Sequence, residues 1–315
     1  MTGILTGTCS WTDKELVRSG WYPPGVGRDA EARLRHYAER FPVVEVDATY
    51  YALPSRRNSL LWAERTPQGF RFDVKAFSLL TGHPTRTAAL PADLRDHDRG
   101  DPGVLDEVWH RFSSALLPLR ETGRLGTLLF QYPPWFTPGA RAETVLHRMR
   151  KRTAGWPVAV EFRHADWWRE DRRTRTAALL EDLDATAVAV DTARSLPASM
   201  PPVAPVTSPE LAVVRFHGRS AAWGAGSKED RFRHTYTERE LCEWLPRLHA
   251  LADRVAQLHV LFNNCCADAA VRAAGTMQRL LAPGGADEAA QPVGGRRGAL
   301  GDVPVVGDLL DADRP

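Results

Sequence analysis

The chain has 315 residues, 43% of them hydrophobic and 25% charged, with a formal net charge of +2. This is the composition of one large α/β domain or two small ones, and the near-neutral balance excludes a strong overall field for nucleic acid or an anionic membrane. No run approaches the roughly 18 apolar residues of a membrane span, the first residues lack the basic and apolar regions of a signal peptide, and the four cysteines form no CxxC pair, so a cytoplasmic protein with reduced thiols is expected.

In chain order, residues 4–10 form a short apolar run, followed by Trp11 and a turn at Trp21-Tyr22-Pro23-Pro24-Gly25. Helical spacing covers 31–40 and stops at Pro42, and Val43-Val44-Glu45-Val46-Asp47 predicts a second strand leading into Tyr50. A helix over 59–65 and a strand over 70–75 follow, and then 78–102 turns polar and rich in Pro, Asp and Arg, which predicts a long solvated loop. Helices over 104–120, 140–152, 174–183, 238–251 and 267–281 alternate with strands at 126–131, 157–164, 186–191, 211–217 and 257–263. Between the sixth and seventh strands, 195–209 holds five prolines and reads as a semi-extended loop.

Eight strands separated by helical patterns fit a single (β/α)8 TIM-type barrel over 1–282. A doubly wound sheet would want a Gly-rich phosphate loop after the first strand, and Gly7-Thr8-Cys9-Ser10 is not one. Residues 283–315 lose periodicity and read as a disordered tail in which 303–310 has the composition to dock.

The strand ends carry the functional signal. Side chains alternate between the faces of a strand, and the period-two rule places Ser10, Glu45, Asp47, Asp73, Lys75, Gln131, Glu161, Arg163, Asp191, Arg215, His217 and Asn263 on one inward set. The opposite parity is apolar, as in Val44, Val46, Phe72, Val74, Val160, Phe162, Val214 and Phe216. Five carboxylates, three cations, one imidazole and two amides thus converge at the C-terminal face, where such barrels place their chemistry. Any single pair among them reads equally well as a structural salt bridge. Taken together they predict a ligand site. Of the two adjacent amides, Asn263 and Asn264, alternation lets only one face the pocket.

Seven segments in this order resemble the YecE-like family, also called domain of unknown function 72. They are Gly7-Thr8-Cys9-Ser10-Trp11, Val44-Glu45-Val46-Asp47-Ala48-Thr49-Tyr50-Tyr51, Phe72-Asp73-Val74-Lys75-Ala76, Phe130-Gln131-Tyr132-Pro133-Pro134, Val160-Glu161-Phe162-Arg163-His164, Arg215-Phe216-His217-Gly218-Arg219 and Phe262-Asn263-Asn264. The resemblance covers about 3–282 and implies a TIM-type barrel without supplying a reaction. The chain departs from the family pattern at Asp47, where asparagine is usual, and at Cys265-Cys266. It departs again at Thr81-Gly82-His83, where the extra glycine leaves the position of His83 over the pocket open.

The expected activity is acid/base catalysis on a small, polar, anionic substrate, a phosphorylated sugar or a phosphodiester. Glu161, His217 and Glu45 are the candidate catalytic groups. Lys75, Arg163 and Arg215 would hold the anion, with Asp47, Gln131, Tyr132, Asp191, Asn263, Asn264, Trp11 and Tyr50 lining the site. Three alternatives stand beside this reading. One is a glycoside hydrolase acting through Glu45 and Glu161. Another is a divalent metal on Glu45, Glu161, Asp191 and His217, although no HxH or HxxxH pair supports it and no cofactor is expected. The third is a nucleic-acid binder using Arg56, Arg57, the 169–175 cluster, Arg219 and Trp223, which is less favoured because those arginines also read as solvated helix faces.

Overall fold

In the computed structural model, which describes residues 3–194, 196, 199–220, 222, 233–264 and 266–283, eight parallel strands close into a barrel in chain order. They are β1 (Gly3–Thr8), β2 (Val43–Val46), β3 (Arg71–Lys75), β4 (Leu125–Gln131), β5 (Val158–Glu161), β6 (Thr186–Asp191), β7 (Leu211–Phe216) and β8 (Gln257–Phe262). The helices around them are α1 (Lys14–Arg18), α2 (Ala30–Ala38), α3 (Arg56–Glu64), α4 (Pro102–Glu121), α5 (Ala140–Arg152), α6 (Arg173–Asp182), α7 (Glu238–Cys242), α8 (Leu245–Ala252) and α9 (Ala269–Leu281). The fold is the (β/α)8 barrel that the alternation of patterns predicts. The expected tail beyond residue 283 and Trp223 lie outside the described residues.

Local chemistry sets the helix boundaries. Asp29 accepts from the Ala32 amide to start α2, Ser55 caps α3 through Asn58, and Asp101 caps α4 just ahead of Pro102, where a missing amide costs nothing. One helix expected over 238–251 is two: α7 begins with a Thr237–Glu240 capping box, and Pro246 falls in the first turn of α8. A proline cannot continue a preceding helix, so the chain restarts there.

The outer strand face supplies the core. Val44, Val46, Phe72, Val74, Val160, Phe162, Val214 and Phe216 are each no more than 2% exposed, and burying such side chains contributes about 1.5–3 kcal/mol apiece. Phe72 stacks on Trp62 of α3, and Phe162 lies 4.0 Å from Trp167, centroid to centroid. The segment 78–102 departs from the solvated loop expected of it. It forms three short 3-10 turns, and Leu80, Leu90 and Leu94 are buried, as are Ser78 and Thr85, whose hydroxyls bond at 2.8 Å. Its charged residues mask these leucines in the sequence.

No helix of the described residues is long and apolar enough to cross a membrane.

Candidate functional site

Parallel neighbours in register point to the same face, so the ladder fixes which side chains enter the barrel. Glu45 is level with Asp73, Asp73 with Thr127, Lys75 with Leu129, Gln131 with Glu161, and Arg215 with Leu261. All of these face inward. Arg215 is the hub, wholly buried with Glu45 and Glu161. Its Nε and Nη2 donate to the two oxygens of Glu45 at 2.8 and 2.7 Å, while Nη1 donates to Glu161 and, at 3.1 Å, to Gln131. Arg163 Nη1 reaches the other Glu161 oxygen at 2.9 Å.

His217 completes this cluster. Its Nε2 lies 3.0 Å from Glu161 Oε1, and its Nδ1 lies 3.0 Å from Asn263 Nδ2. A neutral ring that donates from Nε2 and accepts at Nδ1 satisfies these two contacts, and sets its Nε2 hydrogen beside the Arg163 Nη1 donor, 3.1 Å away. Above the cluster, Lys75 bonds Asp47 at 3.0 Å and stands 4.8 Å over the Tyr50 ring. The Thr49 hydroxyl ties the Lys75 carbonyl to that of Val46, fixing the two strand ends together.

Electrostatics divide the carboxylates. Burial pushes Glu161 up, but Arg215, His217 and Arg163 outweigh it and hold the group well below the usual carboxylate range. Burial prevails at Glu45, whose pKa is raised against the pull of Arg215 and Lys75. Burial also pulls Lys75 down, yet Asp47 more than restores it. His217 falls to about 3, chiefly by burial and then by Arg163 and Arg215 against the pull of Glu161, so the ring is neutral at pH 7.

This depressed value has a sign that can be checked. A group whose folded pKa lies below its unfolded value stabilises the fold above the unfolded pKa, and that stability is lost as pH falls toward the folded value. His217 therefore makes the protein less stable from about pH 6.5 down to pH 3. The slope for one proton is at most about 1.4 kcal/mol per pH unit. His217→Gln should flatten the fall in Tm between pH 6 and pH 4. An unchanged pH profile would show that the folded protein already protonates this ring.

Several expected site residues lie elsewhere. Asp191 is level with Phe216, not with Arg215, so it faces outward. There it accepts from Arg219, Tyr236 and the Trp244 indole. Ser10 is likewise off the inward set, because β1 ends at Thr8 and the inward position falls to Cys9. The Cys9 thiol donates to Glu45 at 3.2 Å, and burial and Glu45 keep it protonated. Tyr132 is buried and stacked on Phe136 at 4.2 Å, as the apolar parity of its neighbours requires. Asn264 is buried and donates to the His234 carbonyl, holding a loop while Asn263 faces the pocket. Trp11 packs edge-on against Trp62 and Phe72, and lines a cleft of about 290 Å³ that Glu45 and Asp47 border. Asp73 sits deeper than the rest and pairs with buried His259 at 2.8 Å.

The candidate metal ligands do not converge. Glu45 spends both oxygens on Arg215, and Asp191 lies on the other face of the sheet. Among the described residues no group of three or more His, Cys, Asp or Glu side chains is placed to hold a metal ion. Four of the arginines weighed for nucleic acid are ion-paired. Arg169 pairs with Asp166 and Asp171, Arg173 with Glu170, Arg175 with Glu143, and Arg219 with Asp191 and Glu243, while Arg56 and Arg57 are exposed on α3.

Position 83, left open by the sequence, is settled by Gly82. That residue takes a left-handed φ of +73° at the end of the 3-10 turn Ser78–Thr81, a conformation that costs glycine little. The chain thereby folds back. The His83 amide donates to the Ser78 carbonyl, and its Nδ1 lies 2.8 Å from the Thr81 hydroxyl.

Two solved structures share this fold, and the sequence matches a family. The family described as Protein of unknown function DUF72 matches residues 5–294. The UPF0759 protein YunF of Bacillus subtilis (strain 168) is 29% identical over 267 residues, covering 83% of this chain and 88% of the relative. A crystal structure of a DUF72 family protein from Thermotoga maritima MSB8 superposes with a TM-score of 0.73 at 28% identity, over 89% of this chain and 99% of that one. One from Enterococcus faecalis V583 gives a TM-score of 0.73 at 23% identity, over 89% and 98%, and shows the fold alone.

Proposed function

The chain belongs to the DUF72 family, and from the charges gathered at its barrel mouth we propose that it is an enzyme acting by acid/base chemistry on a small, polar, anionic substrate. A phosphorylated sugar or a phosphodiester is the class intended. One observation carries this reading: Lys75 and Arg163 keep 10% and 13% of their side chains exposed directly above a fully buried layer of Glu45, Arg215, Glu161 and His217. With Glu161 ionised and His217 neutral, both groups stand in their basic forms and can accept a proton from the substrate. Glu161 and His217 would handle the proton. Lys75 would meet the anion as a point charge, and Arg163 through its planar fork. Glu45, clamped by Arg215, would position that guanidinium instead of reacting. Gln131, Asn263, Asp47 and Tyr50 would orient the substrate's hydroxyls.

The three carboxylates Glu45, Asp47 and Glu161 balance the three cations, so binding would draw on Lys75 and Arg163 locally and not on a net positive field. Titration calorimetry with ribose 5-phosphate, alongside turnover of a nitrophenyl phosphodiester, tests this. Wild type should bind, and Lys75→Met with Arg163→Met should weaken binding at least about 10-fold, since each charged hydrogen bond is worth about 1.5–3 kcal/mol. Absence of both binding and turnover in folded wild type would end the reading.

A further inference from the structure

The loops after β2, β3 and β4 bring four rings into one ridge beside the cations. Tyr51 and Tyr50 meet edge-to-face at 5.0 Å, Tyr50 and His83 at 5.3 Å, and His83 and Trp135 at 5.9 Å. Two members are exposed to a degree that large apolar side chains seldom reach, Tyr51 at 49% and Trp135 at 61%. Packing does not require this. Trp135 is held out by a turn in which the Phe136 amide bonds the Pro133 carbonyl, while the Phe136 carbonyl accepts from the Trp167 indole at 2.7 Å. The ridge joins the charged site at Tyr50, whose ring lies under Lys75. His83 is neutral, its pKa lowered to about 4 by burial and then by the nearby charges of Lys75 and Arg163. The Thr81 hydroxyl donates to the Ser78 carbonyl and can accept from Nδ1, which turns the lone pair of Nε2 outward.

We propose that this ridge seats an aromatic base, so that the ligand is a nucleotide whose phosphate meets Lys75 and Arg163 while its base stacks on Trp135 and meets the neighbouring His83 Nε2. The proposal rests on the anion-binding reading for its phosphate half and on the ridge for its base half. Every nucleobase has a flat π-face, and its edge offers the donor that a neutral imidazole nitrogen accepts.

Calorimetric titration of the full chain with AMP, ribose 5-phosphate, glucose 6-phosphate and adenosine separates the halves. AMP should bind about 5- to 150-fold tighter than ribose 5-phosphate, the span expected for one stacked base. Trp135→Ala, at an exposed position, should keep the wild-type Tm and ribose 5-phosphate affinity while removing most of that ratio. His83→Ala should reduce it further. Equal affinities for AMP and ribose 5-phosphate would overturn the base on the ridge and leave the anion reading standing. Trp135-dependent binding of adenosine with no binding of either sugar phosphate would support the ridge and overturn the anion reading. Glucose 6-phosphate matching AMP, with the same dependence on Trp135, would replace the base by a sugar face and overturn the proposal.

Discussion

Arg215→Met is expected to destabilise the protein by about 3–5 kcal/mol, the usual cost of removing one partner from a buried ion pair. A domain of this kind has only about 5–15 kcal/mol of stability in total, so the variant should unfold at a much lower urea concentration. The loss falls unequally on the two carboxylates. Glu161 keeps Arg163 at 2.9 Å and His217 at 3.0 Å, whereas Glu45 keeps, among the described residues, one hydrogen bond from the Cys9 thiol at 3.2 Å and the charge of Lys75 beyond bonding distance. Both carboxylates are wholly buried, so Glu45 becomes an interior charge with no ion-pair partner in contact unless it takes up a proton. Adding Glu45→Gln to Arg215→Met should therefore recover part of the loss, and adding Glu161→Gln should recover much less. Urea midpoints for the single and double variants, combined in a cycle, give the two coupling energies directly. Equal couplings would contradict the hub geometry, and an Arg215→Met variant as stable as wild type would show that this guanidinium compensates neither carboxylate.

The same asymmetry explains how much of the site was legible. Period-two alternation is informative where one face is polar and the other apolar. It therefore places Glu45, Lys75, Gln131, Glu161, Arg215 and His217 correctly in the barrel. It fails in Thr186–Asp191, because every residue there is buried and Ala187, Val188, Ala189 and Val190 make both faces read alike. The lone carboxylate at the end then carries no frame, and its true partners Arg219, Tyr236 and Trp244 lie far along the chain. A misjudged strand end shifts the frame by one, as at Cys9 and Ser10. Nothing in the local pattern of Gln257–Phe262 singles out His259, and only closure of the barrel brings it to Asp73. The ridge of Tyr51, His83 and Trp135 follows no period at all, since three separate loops build it.

Gly7→Ala is expected to be the second most damaging change, through the seam on which the inward frame of β1 depends. A β-carbon on Gly7 would lie 1.9 Å from the Val43 carbonyl oxygen and 2.9 Å from its carbon. Those are backbone atoms, so no side-chain rotation relieves the clash and β1 must move off β2. The two strands pair there through only two positions, Gly7 with Val43 and Thr8 with Val44. Tyr37 bridges the seam, its hydroxyl accepting from the Thr8 amide at 2.8 Å and donating to the Val43 carbonyl at 3.1 Å. Separating the strands strains both bonds at a wholly buried tyrosine, where an unsatisfied polar group costs about 1–3 kcal/mol. The overpacking itself adds typically 1–3 kcal/mol. Cys9 and Glu45 each lie two residues beyond the clash, on the same inward face, so the displacement also reaches the charged cluster. Cys9 is 5% exposed and should react slowly with a thiol reagent in wild type. Gly7→Ala should lower the urea midpoint and speed labelling of that one cysteine, with Cys9→Ala identifying its share of the signal. A variant that melts with wild type and keeps Cys9 unreactive would show that β1 and β2 separate freely at this point, and that glycine is not what lets Glu45 meet Arg215.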